Sequence, residues 1–339
     1  MSNKKSISET YFVTSHLVMP RHANPLGILF GGYMMDWIVE AGTINTMRLS
    51  GKSTVIGFID NLFFINPVSI GDTVFYRTWI GRVRRSSMEV IVEAIVRGRE
   101  NKYYLASIAK MIYVALGSDN RPVKIDLEIE AREDWEFSIM SQLETWRNRV
   151  DELIKSSVSA EKPPYAFSKY SVSSLKRVTF EDAMPANMMY GGSLLRYIDE
   201  ISSILAFGYS GGVVVTASVD QMIFKKPIFV GDVIKILSMI TRTWRSSMEI
   251  KTLILREKNG EEEILTECYS TFVKLDEKGK PSELKPYNPT TPEEYEEWTK
   301  ADERRRIRLE LAKKLNEYKN KDLGVIDLSD PKPVIRDIL

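Results

Sequence analysis

Two stretches of the chain, 31–49 and 191–208, are apolar on almost every helical face, and each opens on a Gly-Gly pair. A helix without a polar stripe is buried rather than laid on a surface. Gly51 and Gly211-Gly212 supply stop signals where the two stretches end. β-Branched and aromatic runs follow at 54–65, 73–83, 86–98 and 103–116, and again at 213–224, 233–243, 246–256 and 262–275. Pro67 with Gly71-Asp72, and Pro227 with Gly231-Asp232, mark turns between them. One more strand precedes each helix, at 11–19 and 170–178. Short turns impose antiparallel pairing. The pattern predicts an α+β chain in which an antiparallel sheet curls round one long buried helix, twice.

The second set is a copy of the first. Gly31-Gly32 recurs as Gly191-Gly192, Asp60 as Asp220, Pro67 as Pro227, and Arg85-Ser86-Ser87-Met88-Glu89 as Arg245-Ser246-Ser247-Met248-Glu249, each offset by 160. Aligning 30–89 on 190–249 without a gap gives 20 identities in 60 positions, far above chance. The offset falls to 159 by Val114/Val273 and Pro122/Pro281, so the second copy has lost one residue. The expected organisation is a first unit at 1–125, a helical linker at 126–167, a second unit at 168–285, and a charged C-terminal helix and tail at 286–339. Residues 126–160 and 292–322 are charged and helical, with Trp135, Trp146 and Trp298 among them. Their charge runs, including Arg304-Arg305-Arg306, read as solvated faces. The tail 323–339 has little periodicity and reads as an extended arm.

Composition narrows the chemistry. Lys+Arg number 47 and Asp+Glu 46, which argues against a general nucleic-acid or membrane-surface binder. A single cysteine, Cys268, excludes an intrachain disulfide and fits a reducing, cytoplasmic setting. The polar start Met1–Tyr11 lacks the apolar core of a signal peptide, and no apolar run approaches the ~18 residues of a membrane span. Two histidines, His16 and His22, and one cysteine disfavour a structural zinc site. No G-x-S-x-G elbow is present. Catalysis, if any, falls to carboxylates, amides and backbone groups, with no metal expected.

The segments HANPLGILFGGYMMDWIVEAG, FIDNLFFINPVSIGD and RRSSMEV resemble the hotdog-fold acyl-CoA thioesterases. The tandem arrangement is similar to the double-hotdog acyl-CoA hydrolases, over roughly 10–125 and 168–285. The resemblance implies two tandem hotdog domains and hydrolysis of acyl-CoA to a fatty acid and CoA. It implies no cofactor beyond the CoA of substrate and product. It also implies a homo-oligomer, a trimer of tandem chains.

Thioester hydrolysis needs a stabilised oxyanion and an attacking water or carboxylate. Backbone N–H groups at a helix N-terminus serve the first need, and Gly-Gly leaves room for the thioester. Gly31, with Gly32, is the candidate donor; tight helix–sheet packing is the structural alternative. Asp199 lies eight residues after Gly191, about 12 Å along one helix. The two cannot touch one carbonyl. An antiparallel partner helix would instead bring Gly31 of the first copy to Asp199 of the second. The family pattern has an Asn seven residues before the glycine on one unit and an acid eight after it on the other. Asn24 and Asp199 fill these places. The mirror-image site has Met184, Gly191 and Val39, so it reads as inert. Glu40 and Glu200 face about 100° away and are poor substitutes. Asp199 would be general base or attacking carboxylate, Asn24 would orient water or carbonyl, and Gly31 N–H would hold the oxyanion. For Asp199 alone, membership of a structural network is the alternative.

CoA phosphates call for local cations and hydroxyls. Arg82, Arg84, Arg85, Ser86 and Ser87, with Arg242, Arg245, Ser246 and Ser247, are candidates; solvated strand starts are the alternative. His22 is a candidate proton shuttle, against a simple hydrogen-bonded loop histidine. Trp37 is a candidate floor for the acyl pocket. Two rival functions stand: a non-catalytic acyl-CoA sensor or scaffold, and a hotdog hydratase or dehydratase. The second fits poorly, because His22 lies outside the helix and its counterpart is Asp182.

Overall fold

The computed structural model describes residues 3–157, 168–258 and 260–335. The first unit runs β1 (Phe12–Leu17), α1 (Gly31–Ser50), β2 (Ser53–Ile59), β3 (Leu62–Phe63), β4 (Thr73–Val83), β5 (Ser87–Arg97) and β6 (Tyr103–Leu116). Helix α2 (Asp134–Ser157) follows. The second unit repeats the order as β7 (Ser171–Arg177), α3 (Gly191–Ser210), β8 (Val214–Val219), β9 (Met222–Ile223), β10 (Val233–Thr243), β11 (Ser247–Lys258) and β12 (Glu261–Lys274). Helix α4 (Pro292–Leu315) follows that. Gly51 and Gly211, both at φ 63°, close α1 and α3 in the left-handed region.

Two six-stranded antiparallel sheets form, ordered β9-β2-β6-β5-β4-β1 and β3-β8-β12-β11-β10-β7. Each borrows its edge strand from the other unit. β3 pairs with β8, and β9 pairs with β2. The runs expected as single strands at 54–65 and 213–224 therefore break at Asp60 and Asp220. Beyond each break the chain crosses to the neighbouring sheet. Apolar periodicity does not register this, because both halves stay buried.

The inner faces of both sheets wrap α1 and α3. Met34, Met35, Trp37, Ile38 and Val39 of α1 share one core with Leu194, Leu195 and Ile198 of α3. The helices run antiparallel: Gly32 meets the Arg196 backbone, and Gly192 meets Asp36. The trailing helices cover the outer faces. Ile139, Leu143, Trp146 and Val150, spaced for one helical face, pack α2 on Phe58, Trp79, Ile91 and Ile112.

Helix α4 departs from the solvated-face expectation. Arg304 and Arg308 turn inward to Glu249, a fully buried acid on β11, with Arg304 Nη2 2.7 Å from its carboxylate. A carboxylate buried on a sheet needs cationic partners, and α4 supplies them. Of the three consecutive arginines, Arg306 is the solvated one, paired with Glu303 and Glu310.

The tail then crosses back to the first unit as an extended strap. Leu323 N–H donates to Tyr103 O, Trp79 Nε1–H to Pro331 O, and Ile335 N–H to Glu93 Oε1. Arg77 and Glu93, both buried, pair at 2.9 Å beneath it, and Arg77 also donates to the carbonyls of Asp330 and Lys332.

Candidate active site

Phe30 caps α1 in extended conformation and accepts from the N–H groups of Tyr33 and Met34. Gly31 and Gly32 carry the remaining donors of this helix start. Gly32 N–H donates to Asp199 Oδ2 at 2.7 Å, across the contact between the two units. Thr216 Oγ1–H donates to Asp199 Oδ1 at 2.8 Å. A Cβ on Gly31 would lie 2.9 Å from Thr216 Oγ1 and 3.0 Å from Asp199 Oδ2. A Cβ on Gly32 would lie 3.1 Å from the Arg196 Cα. The glycines let a helix N-terminus, a carboxylate and the neighbouring helix backbone converge. Gly31 N–H, one residue ahead of the donor to Asp199, takes no partner among the described residues.

Asp199 is fully buried. Burial pushes its carboxyl up to about 7, while the hydrogen bonds from Thr216 and Gly32 pull the other way by favouring the ionised form. The result is a carboxylate that exchanges its proton near neutral pH beside a helix N-terminus. That pairing suits general-base chemistry next to a developing oxyanion.

Thr216 was absent from the sequence-based set. It sits just before a β-bulge on β8, where the register with β12 shifts between Thr216 and Ser218. The bulge re-aims the strand at the site. The signal for it was available: its counterpart in the first copy is Ile56.

Asn24 lies on the loop that enters α1. Its Oδ1 accepts from the N–H groups of Leu26 and Ile28, which folds the loop back on itself. No hydrogen bond among the described residues joins it to Asp199. His22 is tied into its own turn, with Nδ1 3.2 Å from Met19 N and Nε2 3.0 Å from Arg21 Nε. Burial and Arg21 hold it below the usual histidine range. Trp37 stacks on His16 at 4.5 Å, and His16 pairs with Glu40 at 2.9 Å. Asp182 is held by Tyr197, Thr179 and Lys176.

The arginine and serine candidates divide. Arg82 pairs with Glu144 at 3.6 Å, Arg84 with Asp151 at 2.9 Å, and Ser87 accepts from Arg147, so all three help seat α2. Ser247 stands in the same relation to Arg305 of α4, and Arg242 stacks on Trp298 at 3.4 Å. Arg85 and Arg245 are exposed at the hairpin turns. The carbonyls of Arg85, Ser86, Arg245 and Ser246 there accept from Ile125, Ala115, Leu284 and Lys274.

At the mirror position Val39 replaces Asp199, Ile56 replaces Thr216 and Met184 replaces Asn24, opposite Gly191. An acid does lie nearby. Asp36, one turn ahead of Val39, abuts Gly192 and sits 3.9 Å from Arg196. Burial pushes its carboxyl up to about 6.

The sequence model of the Thioesterase superfamily matches residues 26–101 and 186–263, once in each unit. An uncharacterised acyl-CoA thioester hydrolase of Bacillus subtilis is 38% identical over 137 residues, 40% of this chain and 80% of its own. The chain belongs to the thioesterase superfamily. This thioesterase is also similar, across both units, to the cytosolic acyl coenzyme A thioester hydrolase of Mus musculus. That match is 27% identical over 303 residues, 82% of this chain and 78% of the relative. A solved structure from Lactobacillus plantarum, provisionally named an oleoyl thioesterase, shares the fold. It has a TM-score of 0.53 at 11% identity, over 79% of this chain and 97% of its own. Among the described residues of this thioesterase, no group of three or more His, Cys, Asp and Glu is placed to hold a metal. Among the described residues, no helix is long and apolar enough to cross a membrane.

Proposed function

We propose that this thioesterase hydrolyses acyl-CoA at one composite site, formed by Asn24, Gly31 and Gly32 of the first unit with Asp199 and Thr216 of the second. The observation that carries this reading is the asymmetry between the two helix starts. One faces a buried carboxylate held by two donors. The other faces Val39 and Ile56, which cannot move a proton. Asp36 does not replace the missing acid, because it lies outside the wall of the mirror cavity and against Arg196. Similarity to acyl-CoA thioester hydrolases supports acyl-CoA as substrate, and similarity to the cytosolic enzyme of Mus musculus supports the cytosol as location.

In this reading the thioester oxygen takes the Gly31 N–H, and the α1 dipole stabilises the oxyanion. Asp199 removes a proton from water as the water attacks the carbonyl carbon. The tetrahedral intermediate then expels the CoA sulfur, which receives the proton from Asp199. Asn24 orients the water or the carbonyl. Arg85 and Arg245, the exposed cations of their clusters, are the groups assigned to the CoA phosphates.

Incubation with an acyl-CoA series and a thiol reagent tests this. Asp199→Asn is expected to lower kcat about 10³-fold and Asn24→Ala about 10²-fold. Val39→Ala and Met184→Ala are expected to stay within about twofold of the parent. Equal losses at Val39 or Met184 would defeat the one-site reading. Acyl-CoA binding by the parent chain without release of free CoA would favour the sensor.

A further inference from the structure

The mirror position is not filled in. A cavity of about 260 Å³ remains there, bounded by Val39 and Ile56 of the first unit and by Met184, Met188, Leu194 and Phe224 of the second. Its walls are built from the same elements as the composite site, exchanged between units. All three positions that would carry chemistry now present aliphatic or thioether side chains to the space.

The uncharged polar side chains Thr43, Thr54, Asn120 and Thr266 in the wall have partners within the protein. Thr43 donates to Val39 O, Thr266 to Ile223 O, Asn120 to Ala186 O, and Thr54 shares a hydrogen bond with Thr46. Between these paired groups the wall is aliphatic, aromatic and thioether, which favours apolar molecules over water there. At roughly 30 Å³ per water-sized group, which is close to a methylene, the space suits a chain of about eight carbons.

Lys225 and Lys226 also line it. Their counterparts in the first copy are Ile65 and Asn66, so these cations belong to the mirror cavity alone. Lys226 stands at the rim, 47% exposed, paired with Glu263 at 2.8 Å. Glu263 is held independently by Arg256 at 2.8 Å, so Lys226 can turn to a ligand without stranding that acid. Lys225 is 3.7 Å from Glu267.

We infer that the mirror cavity is a non-hydrolytic binding site for an acyl chain with an anionic head. The inference rests on the one-site reading above, since the same chemical class is cleaved at one helix start and only held at the other. The free carboxylate and the CoA thioester share this chemistry, and two probes separate them. Octanoate represents the acid. S-octyl-CoA, a thioether with no carbonyl to attack, represents the thioester.

Calorimetric titration of the full chain is expected to give two equivalents per chain for at least one probe. Affinity at the second site should rise about fourfold per methylene up to about eight carbons and then level off. Met184→Trp and Met188→Trp each fill the cavity and should reduce binding to one equivalent while leaving turnover near the parent value. Lys226→Glu should weaken the second site at least fivefold with turnover unchanged. Octanoate alone filling the second site assigns the acid, and S-octyl-CoA alone assigns the thioester. One equivalent of both probes in the parent chain overturns the inference. So do two equivalents persisting in both tryptophan variants. Failure of the one-site reading shows separately, as turnover retained by Asp199→Asn.

Discussion

Ionising Asp199 inside the α1–α3 contact takes a charge out of water, and two hydrogen bonds return only part of the loss. Its folded value near 7 lies above the ordinary 3.8, so the unfolded chain releases this proton first as pH rises. Stability from this group is therefore full below about pH 4 and is lost as pH climbs towards 7. Asp199→Asn is expected to raise the unfolding free energy at pH 8, by a few kcal/mol at most, and to leave it unchanged near pH 4, as read by chemical denaturation. Activity runs the opposite way. The acid limb of kcat/KM should fall near pH 7. Thr216→Val removes a donor that favours the ionised form, so the limb should move up by about one unit. A limb unmoved in Thr216→Val would show that another group sets it. Asp199 and its pairing to the opposite glycines followed from spacing, because a helix of known rise cannot bring its own start to its own eighth residue. Thr216 did not follow, since a lone threonine on a strand carries no chemical signal. Only its mismatch with Ile56 marked it. The loop role of Asn24 was also hidden, because short-range hydrogen bonds to Leu26 and Ile28 depend on how the loop closes.

The two helix terminations make a paired test of backbone geometry. Gly51 and Gly211 share φ 63°, and a Cβ on either meets nothing within 4 Å. Alanine there is strained by conformation alone, so Gly51→Ala and Gly211→Ala should each cost about 1–2 kcal/mol in chemical denaturation with turnover kept. Gly31→Ala contrasts with both. Its φ is unremarkable, but its new methyl would crowd Thr216 and Asp199. It should remove most activity at a smaller cost in stability. The helices and strands were readable from apolar runs and glycine stops because burial imposes those patterns. The exchange of β3 and β9 between sheets was not, since a buried strand looks the same whichever sheet receives it. The inward turn of Arg304 and Arg308 was hidden for a related reason. Charge on a helix reads as solvent-facing until the buried Glu249 beneath it is known.

The arrangement of the chain as a whole rests on long returns. Residues near the C-terminus supply carbonyl and N–H partners to Arg77, Trp79 and Glu93 in the first unit. These contacts are made by backbone atoms, so no residue type announces them. Removing residues 319–339 leaves a buried ion pair short of hydrogen bonds. It should destabilise the chain by at least about 2 kcal/mol, read by urea unfolding, with Trp79 fluorescence reporting the loss. An unchanged midpoint would show that water replaces the strap without cost.

The strap also imposes an order in time. A chain leaves the ribosome N-terminus first, at about 5–20 residues per second. The first sheet can curl round α1 early. It must still wait for β9 to complete its edge and for residues beyond 320 to cover and hydrogen-bond the Arg77–Glu93 pair on its outer surface. The nascent first unit therefore spends many seconds with an open strand edge and an uncovered charge pair. Both are features that invite capture by another chain. Fusing the two units exposes the first half to that hazard during synthesis, and the strap brings it to an end once it emerges.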